Sequence, residues 1–61
     1  MMKKIIRLKD VMNQTGLARS SIYRLMNEGN FPQSIKLSAR SVGWLEADIT
    51  SWIEGRIVSD R

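Results

Sequence analysis

Apolar residues recur at helical spacing in three stretches of the chain and at strand spacing between the second and the third. Leu8, Val11, Met12 and Thr15 follow the pattern i, i+3, i+4, i+7 and predict a first helix over about Leu8–Gln14. Gly16 is its natural stop, because glycine tolerates positive φ. So short a helix does not persist alone, so its Val11 and Met12 face must be buried by tertiary packing. A second helix is predicted over Arg19–Glu28. With Arg19 set at zero, a turn of about 100° per residue places Ile22 near 300°, Leu25 near 240° and Met26 near 340°. The opposite side carries Ser20, Tyr23, Arg24 and Asn27, with Arg19 on the flank, so the segment is amphipathic. Between the two helices lies a short Gly-containing turn in which Leu17 is the residue to bury, the helix-turn-helix pattern. Gly29 or Asn30 can take a left-handed cap, and Pro32 prevents continuation.

Beyond Pro32 the period changes to two. Ile35 and Leu37 flank Lys36, and Val42 and Trp44 flank Gly43, predicting strands near Ser34–Leu37 and Val42–Leu45 joined by Ser38-Ala39-Arg40-Ser41. Such a ribbon is marginal alone and must lie on helices, with Phe31 and Trp44 holding it down. The β-branched pair Ile5 and Ile6 can form a short edge strand. A third helix, about Glu46–Arg56, sets Leu45, Ile49, Trp52 and Ile53 on one face, with Glu46 and Asp48 at the positive end of its dipole. Gly55 is an awkward interior residue, and fraying is expected to begin there. The expected fold is mainly α: a single small winged helix-turn-helix domain over residues 1–61, three short helices with a two-stranded β-hairpin wing, residues 1–4 and 57–61 being loose.

Composition narrows the function. Sixty-one residues are near the lower limit for unaided folding, and with no Cys the core must come from the 43% of residues that are apolar. With neither His nor Cys, the commonest general bases, nucleophiles and metal ligands are missing, and the acids are scattered. We therefore expect no catalytic residue, no metal, no cofactor and no small-molecule substrate. Neither a secretory leader nor an apolar run of spanning length is evident, so a cytoplasmic location and no membrane partner are expected.

Charge placement says more than the net value of +4. Residues 1–40 hold eight bases and two acids, a balance of +6, whereas residues 41–61 hold two bases and four acids, a balance of −2. A basic half of this kind suits nucleic acid, and double-stranded DNA is the expected partner. Arg19, Ser20, Ser21, Tyr23 and Arg24 occupy the first turns of the second helix, with Asn27 on the same side, as recognition from the major groove requires. Arginine can read guanine with two hydrogen bonds, while Ser and Tyr suit phosphate or a single base contact. The competing accounts are a solvated face with Arg24 paired to Glu28, and Ser20 and Ser21 serving as helix caps. Lys36, Arg40 and Ser41 belong to the hairpin, whose small-residue loop and long cation suit a wing on phosphate or the minor groove. Lys3, Lys4, Arg7 and Lys9 add a basic arm.

The segments RLKDVMNQTGLARSSIYRLMNEGNFP at 7–32 and IKLSARSVGWLEADITSWIEGR at 35–56 resemble the AlpA family of small prophage-associated transcriptional regulators. That family is similar in fold to excisionases and to the DNA-binding domain of MerR-type proteins. The resemblance implies DNA binding that regulates phage-derived genes or assists prophage excision. It implies recognition-helix contacts by Arg19, Ser20, Ser21, Tyr23 and Arg24, and wing contacts by Arg40 and Ser41. At Ala18 the chain departs from the family, in which Ser or Thr is common as the helix cap. A single module reads only a few base pairs, so further copies on adjacent sites are expected. The alternatives are an excisionase-like factor that bends DNA and a small protein-binding inhibitor of another regulator.

Overall fold

A computed structural model describes residues 3–59, with side chains to residue 57. The elements are β1 (Ile5–Ile6), α1 (Leu8–Thr15), α2 (Arg19–Asn27), β2 (Ile35–Lys36), β3 (Val42–Leu45) and α3 (Glu46–Ser59). The three strands form an antiparallel sheet in the order β1-β3-β2, so the hairpin gains β1 as a third strand. This is a small winged helix-turn-helix.

Local chemistry sets the helix ends. At the start of α1 the carboxylate of Asp10 accepts the main-chain N–H of Arg7 at 3.3 Å, satisfying a donor that the helix itself leaves free. At its end Gly16 takes φ 74° and its N–H donates to the Met12 carbonyl at 2.8 Å. The Thr15 hydroxyl then donates to the Val11 carbonyl at 2.7 Å and accepts the N–H of Leu17 at 3.2 Å. One side chain thus pins the turn from both sides. The end of α2 is a Schellman motif: Gly29, at φ 76°, donates to Met26, and Asn30 donates to Leu25. Gly29, rather than Asn30, is the left-handed residue.

Six apolar side chains form the core: Ile6, Val11, Ile22, Phe31, Trp44 and Ile49. Leu8, Met12, Leu17, Leu25, Met26, Val42, Trp52 and Ile53 pack around them, partly buried. Each expected stripe contributes, Val11 from α1, Ile22 from α2 and Ile49 from α3. Phe31 meets Trp52 edge to face, with ring centroids 4.7 Å apart, and Arg56 lies over the other aromatic partner, 4.8 Å from the Trp52 ring centre. This packing carries α3 through Gly55 to Ser59, beyond the end expected at Arg56. Of the ends expected to be loose, Lys4 is tied by its carbonyl to the Glu46 N–H at 2.8 Å; residues 1, 2, 60 and 61 lie outside the described residues.

The sheet register separates the two apolar pairs of the hairpin. Ile6 lies opposite Trp44 and Lys36 opposite Val42, on the core side. Ile35 lies opposite Gly43 and Ile5 opposite Leu45, so Ile5, Ile35 and Leu37 share the outer face and are each more than one-third exposed. Gly43 is what lets the strands approach. A β-carbon there would sit 2.5 Å from Ile5 Cγ2 and 3.0 Å from the Ile6 carbonyl oxygen.

Candidate nucleic-acid interface

The polar face of α2 stands clear of the core. Arg19, Ser20, Tyr23, Arg24 and Asn27 are exposed, while Ser21 is half-buried on the flank leading to the apolar stripe. Burying Ile22 completely is what turns this set outward, since residues one and two positions away then point to solvent or to the edge. Among the described residues, none of these six side chains is held by a hydrogen bond or an ion pair, and Arg24 does not pair with Glu28. Ser20 and Ser21 do not cap the helix either. The N-cap is Ala18, in extended geometry at φ −75° and ψ 159°, with no side-chain hydrogen bond. The first-turn N–H groups of α2 therefore keep their hydrogen-bonding capacity at the positive end of the helix dipole, a setting that favours anions.

The wing is a tight, internally bonded turn. The Ser41 carbonyl accepts from Leu37 at 2.8 Å and from Ser38 at 3.2 Å, and the Ser38 hydroxyl accepts the Arg40 N–H at 3.4 Å. The main-chain N–H groups of Ser38, Arg40 and Ser41 are thereby engaged within the loop, and the Arg40 side chain is exposed at its tip. Lys36 is exposed on the edge strand β2, and Ser41 is half-buried. Lys3, Lys4 and Lys9 are exposed along the arm and α1. Arg7 differs from the rest of the basic arm: its Nε donates to the Val42 carbonyl at 3.0 Å and braces the wing strand β3.

Two indoles hold the segment leaving α2, one from the wing strand β3 and one from α3. Trp44 Nε1 donates to the Pro32 carbonyl at 3.1 Å, and Trp52 Nε1 donates to the Asn30 carbonyl at 2.8 Å. Gln33 Nε2 adds a bond to the Met26 carbonyl at 3.3 Å. The connection from α2 to β2 is thus held at Asn30, Pro32 and Gln33 in turn. None of these positioning contacts follows from helical or strand period; only the expectation that Trp44 anchors the hairpin pointed toward them. The bracing role of Arg7 and the turn-pinning role of Thr15 carry no sequence signal beyond donor chemistry next to a helix end.

Among the described residues no cluster of three or more metal-ligating side chains occurs, and no helix is long and apolar enough to cross a membrane. What the surface offers is donors: guanidinium, ammonium, hydroxyl and amide groups on one helix face and one hairpin.

The family of the prophage CP4-57 regulatory protein (AlpA) matches residues 4–57. The chain is 40% identical over 55 residues to the ORF88 protein of Enterobacteria phage P4, an alignment covering 90% of this chain and 62% of that protein. It is 39% identical over 59 residues to the DNA-binding transcriptional activator AlpA of Escherichia coli, covering 87% of this chain and 84% of that one. It therefore spans less than two thirds of the phage protein and most of the bacterial one. The chain belongs to the AlpA family of prophage regulatory proteins.

Proposed function

We propose that this AlpA-family chain is a sequence-specific DNA-binding transcriptional regulator of phage or prophage origin. Helix α2 enters the major groove, where Arg19, Ser20, Tyr23, Arg24 and Asn27 reach base edges or flanking phosphates. Ser21, at the helix flank, and the uncapped first-turn N–H groups suit a phosphate at the groove rim. The wing approaches the backbone or minor groove through Lys36 and Arg40, with Ser41 shaping the loop. On this reading the chain is a binding module rather than a catalyst, and cytoplasmic DNA is its partner.

The observation that carries the reading is the face of α2: two guanidiniums, a phenol, a hydroxyl and an amide, all exposed and all without partners among the described residues. A face kept only for solubility has no need of an exposed tyrosine between cations. The relative named as a DNA-binding transcriptional activator supports the same reading. Selection of bound duplexes from random DNA, followed by a gel-shift titration at several salt concentrations, tests it. A single enriched motif is expected, and with roughly four phosphate contacts the log–log salt slope is about −3.6. A flat salt response, or no enriched motif, would overturn the assignment.

A further inference from the structure

Successive residues of a strand turn their main-chain groups alternately to one neighbouring strand and to the other. Leu37 donates to the Ser41 carbonyl at 2.8 Å, so Ser41 faces β2. Glu46 donates to the Lys4 carbonyl at 2.8 Å and Trp44 lies opposite Ile6, so Val42, of the same parity, faces the β1 side. Its partner in that register would be Leu8, but at Leu8 the chain has already entered α1. The Val42 carbonyl is therefore left without a strand donor, two residues from Arg40 at the tip of the wing.

The side chain of Arg7 takes the place of that donor, its Nε bonding the Val42 carbonyl at 3.0 Å. Arg7 is itself held at the main chain on both sides. The Asp10 carboxylate accepts its N–H at 3.3 Å, and its carbonyl accepts the N–H of Val11 at 3.0 Å. It is the last extended residue before α1, at φ −99° and ψ 173°. The backbone of Arg7 thus belongs to the first turn of the helix-turn-helix, while its side chain is bonded to the wing. On the other flank of β3 lies only β2, a two-residue edge strand with both residues exposed, which is marginal support for a loop.

We propose that Arg7 is the positioning residue of the wing: it acts in DNA binding through its Nε bond to Val42, which sets where Arg40 lies relative to α2, and not as a phosphate cation of the basic arm. This inference rests on the DNA-binding reading above. Simultaneous contact by a helix in the groove and a wing on the backbone requires a fixed spacing between the two. A wing free to shift holds the competent position only part of the time, and apparent affinity falls by that fraction. If the unbraced wing is in place one-tenth as often, binding weakens about tenfold.

Two substitutions separate the donor from the charge. Arg7→Gln places an amide nitrogen as many bonds from the α-carbon as the arginine Nε and removes the charge. Arg7→Lys keeps the charge but has a methylene at that point, with its ammonium one atom further out. The full chain and both variants are titrated on the selected duplex at several salt concentrations, below the melting temperature of each. Arg7→Lys should bind about tenfold more weakly, and its salt slope should fall by about 1 although its net charge is unchanged, because the Arg40 phosphate contact is lost. Arg7→Gln should stay within about threefold of the natural chain and keep its slope, as expected where no phosphate contact is removed. Adding Arg40→Ala to Arg7→Lys should cost less than Arg40→Ala alone, whereas a role of Arg7 confined to fold stability leaves the two effects additive. Without DNA, the Nε–H of Arg7 should exchange with solvent more slowly than those of Arg19, Arg24 and Arg40. A full salt slope for Arg7→Lys, a reduced slope for Arg7→Gln, additive losses with Arg40→Ala, or unprotected exchange at Arg7 would each overturn the positioning role alone. If the natural chain itself binds no duplex, the DNA-binding reading falls and this role falls with it.

Discussion

The indole N–H of Trp52 donates to the main-chain carbonyl of Asn30 at 2.8 Å, so the middle of α3 grips the residue immediately beyond the cap of α2. The same indole stacks edge to face with Phe31 and carries Arg56 on its ring. An α-helix offers no carbonyl sideways, but the residues after a Schellman turn do. The exit from α2 is therefore where a third helix can set the angle of the second. Recognition by a short helix depends on that angle, since the helix is too short to hold its own place.

Trp52→Phe keeps an aromatic ring and removes the donor. The cost is about 0.5–1.5 kcal/mol, the worth of a neutral hydrogen bond at a site that water can reach. A domain of this size loses roughly 4–8 °C in Tm per kcal/mol, which a thermal melt followed by circular dichroism resolves. An unchanged melting curve would show that the bond does not couple the two helices.

Gly43→Ala should destabilise by about 1–3 kcal/mol through overpacking. The added carbon meets Ile5 Cγ2 at 2.5 Å, Ile6 O at 3.0 Å and Leu37 Cδ1 at 3.2 Å. Combining it with Ile5→Ala removes the first clash but not the backbone one, so rescue is partial and the two effects are not additive. Full rescue in urea titrations of the double variant would place the conflict wholly in side chains.

Gly16 and Gly29 both sit at positive φ with open space around the missing β-carbon. Replacing either by Ala therefore costs backbone strain alone, about 1–2 kcal/mol. Asn at the same positions should cost less, because it visits the left-handed region more readily. Equilibrium unfolding of the four variants checks the order.

Ala18→Ser supplies a hydroxyl where the chain already has the extended geometry of an N-cap. A stabilisation of about 0.5–2 kcal/mol is expected, read as a higher urea midpoint with an unchanged slope. A lower midpoint would mean that the first turn of α2 is satisfied by other means.

Arg24→Ala and Arg40→Ala separate base reading from backbone contact. If Arg24 reads a base, its loss costs about 1–3 kcal/mol on the selected sequence and relaxes preference at one position. Loss of Arg40 from the wing should weaken binding to all sequences and reduce the salt slope by about 1. Equal losses on selected and random DNA for Arg24→Ala would demote it to a phosphate contact.

The three helices, their starts and two glycine stops are legible in the amino-acid order because they rest on neighbours within one or two turns. The spacing of Ile22, Leu25 and Met26 already turns Tyr23 and Arg24 outward, so the candidate face of α2 needs no tertiary information to locate. Alternation in the hairpin is different. It says that Ile35 and Leu37 share a face, and that Val42 and Trp44 share one, but not that the faces are opposite. That follows from pairing Ile35 with Gly43, and a one-residue slip would reverse it.

Helical period and glycine placement, being local, were thus determined by the chain itself: an amphipathic second helix between a Gly turn and a Gly cap. The register of the sheet, the bracing of β3 by Arg7, the grip of Trp52 on Asn30 and the passage of α3 through Gly55 were decided only by tertiary structure. Each depends on groups distant in sequence meeting at hydrogen-bond or van der Waals range, and no periodicity along one segment encodes which partner the other segment will present.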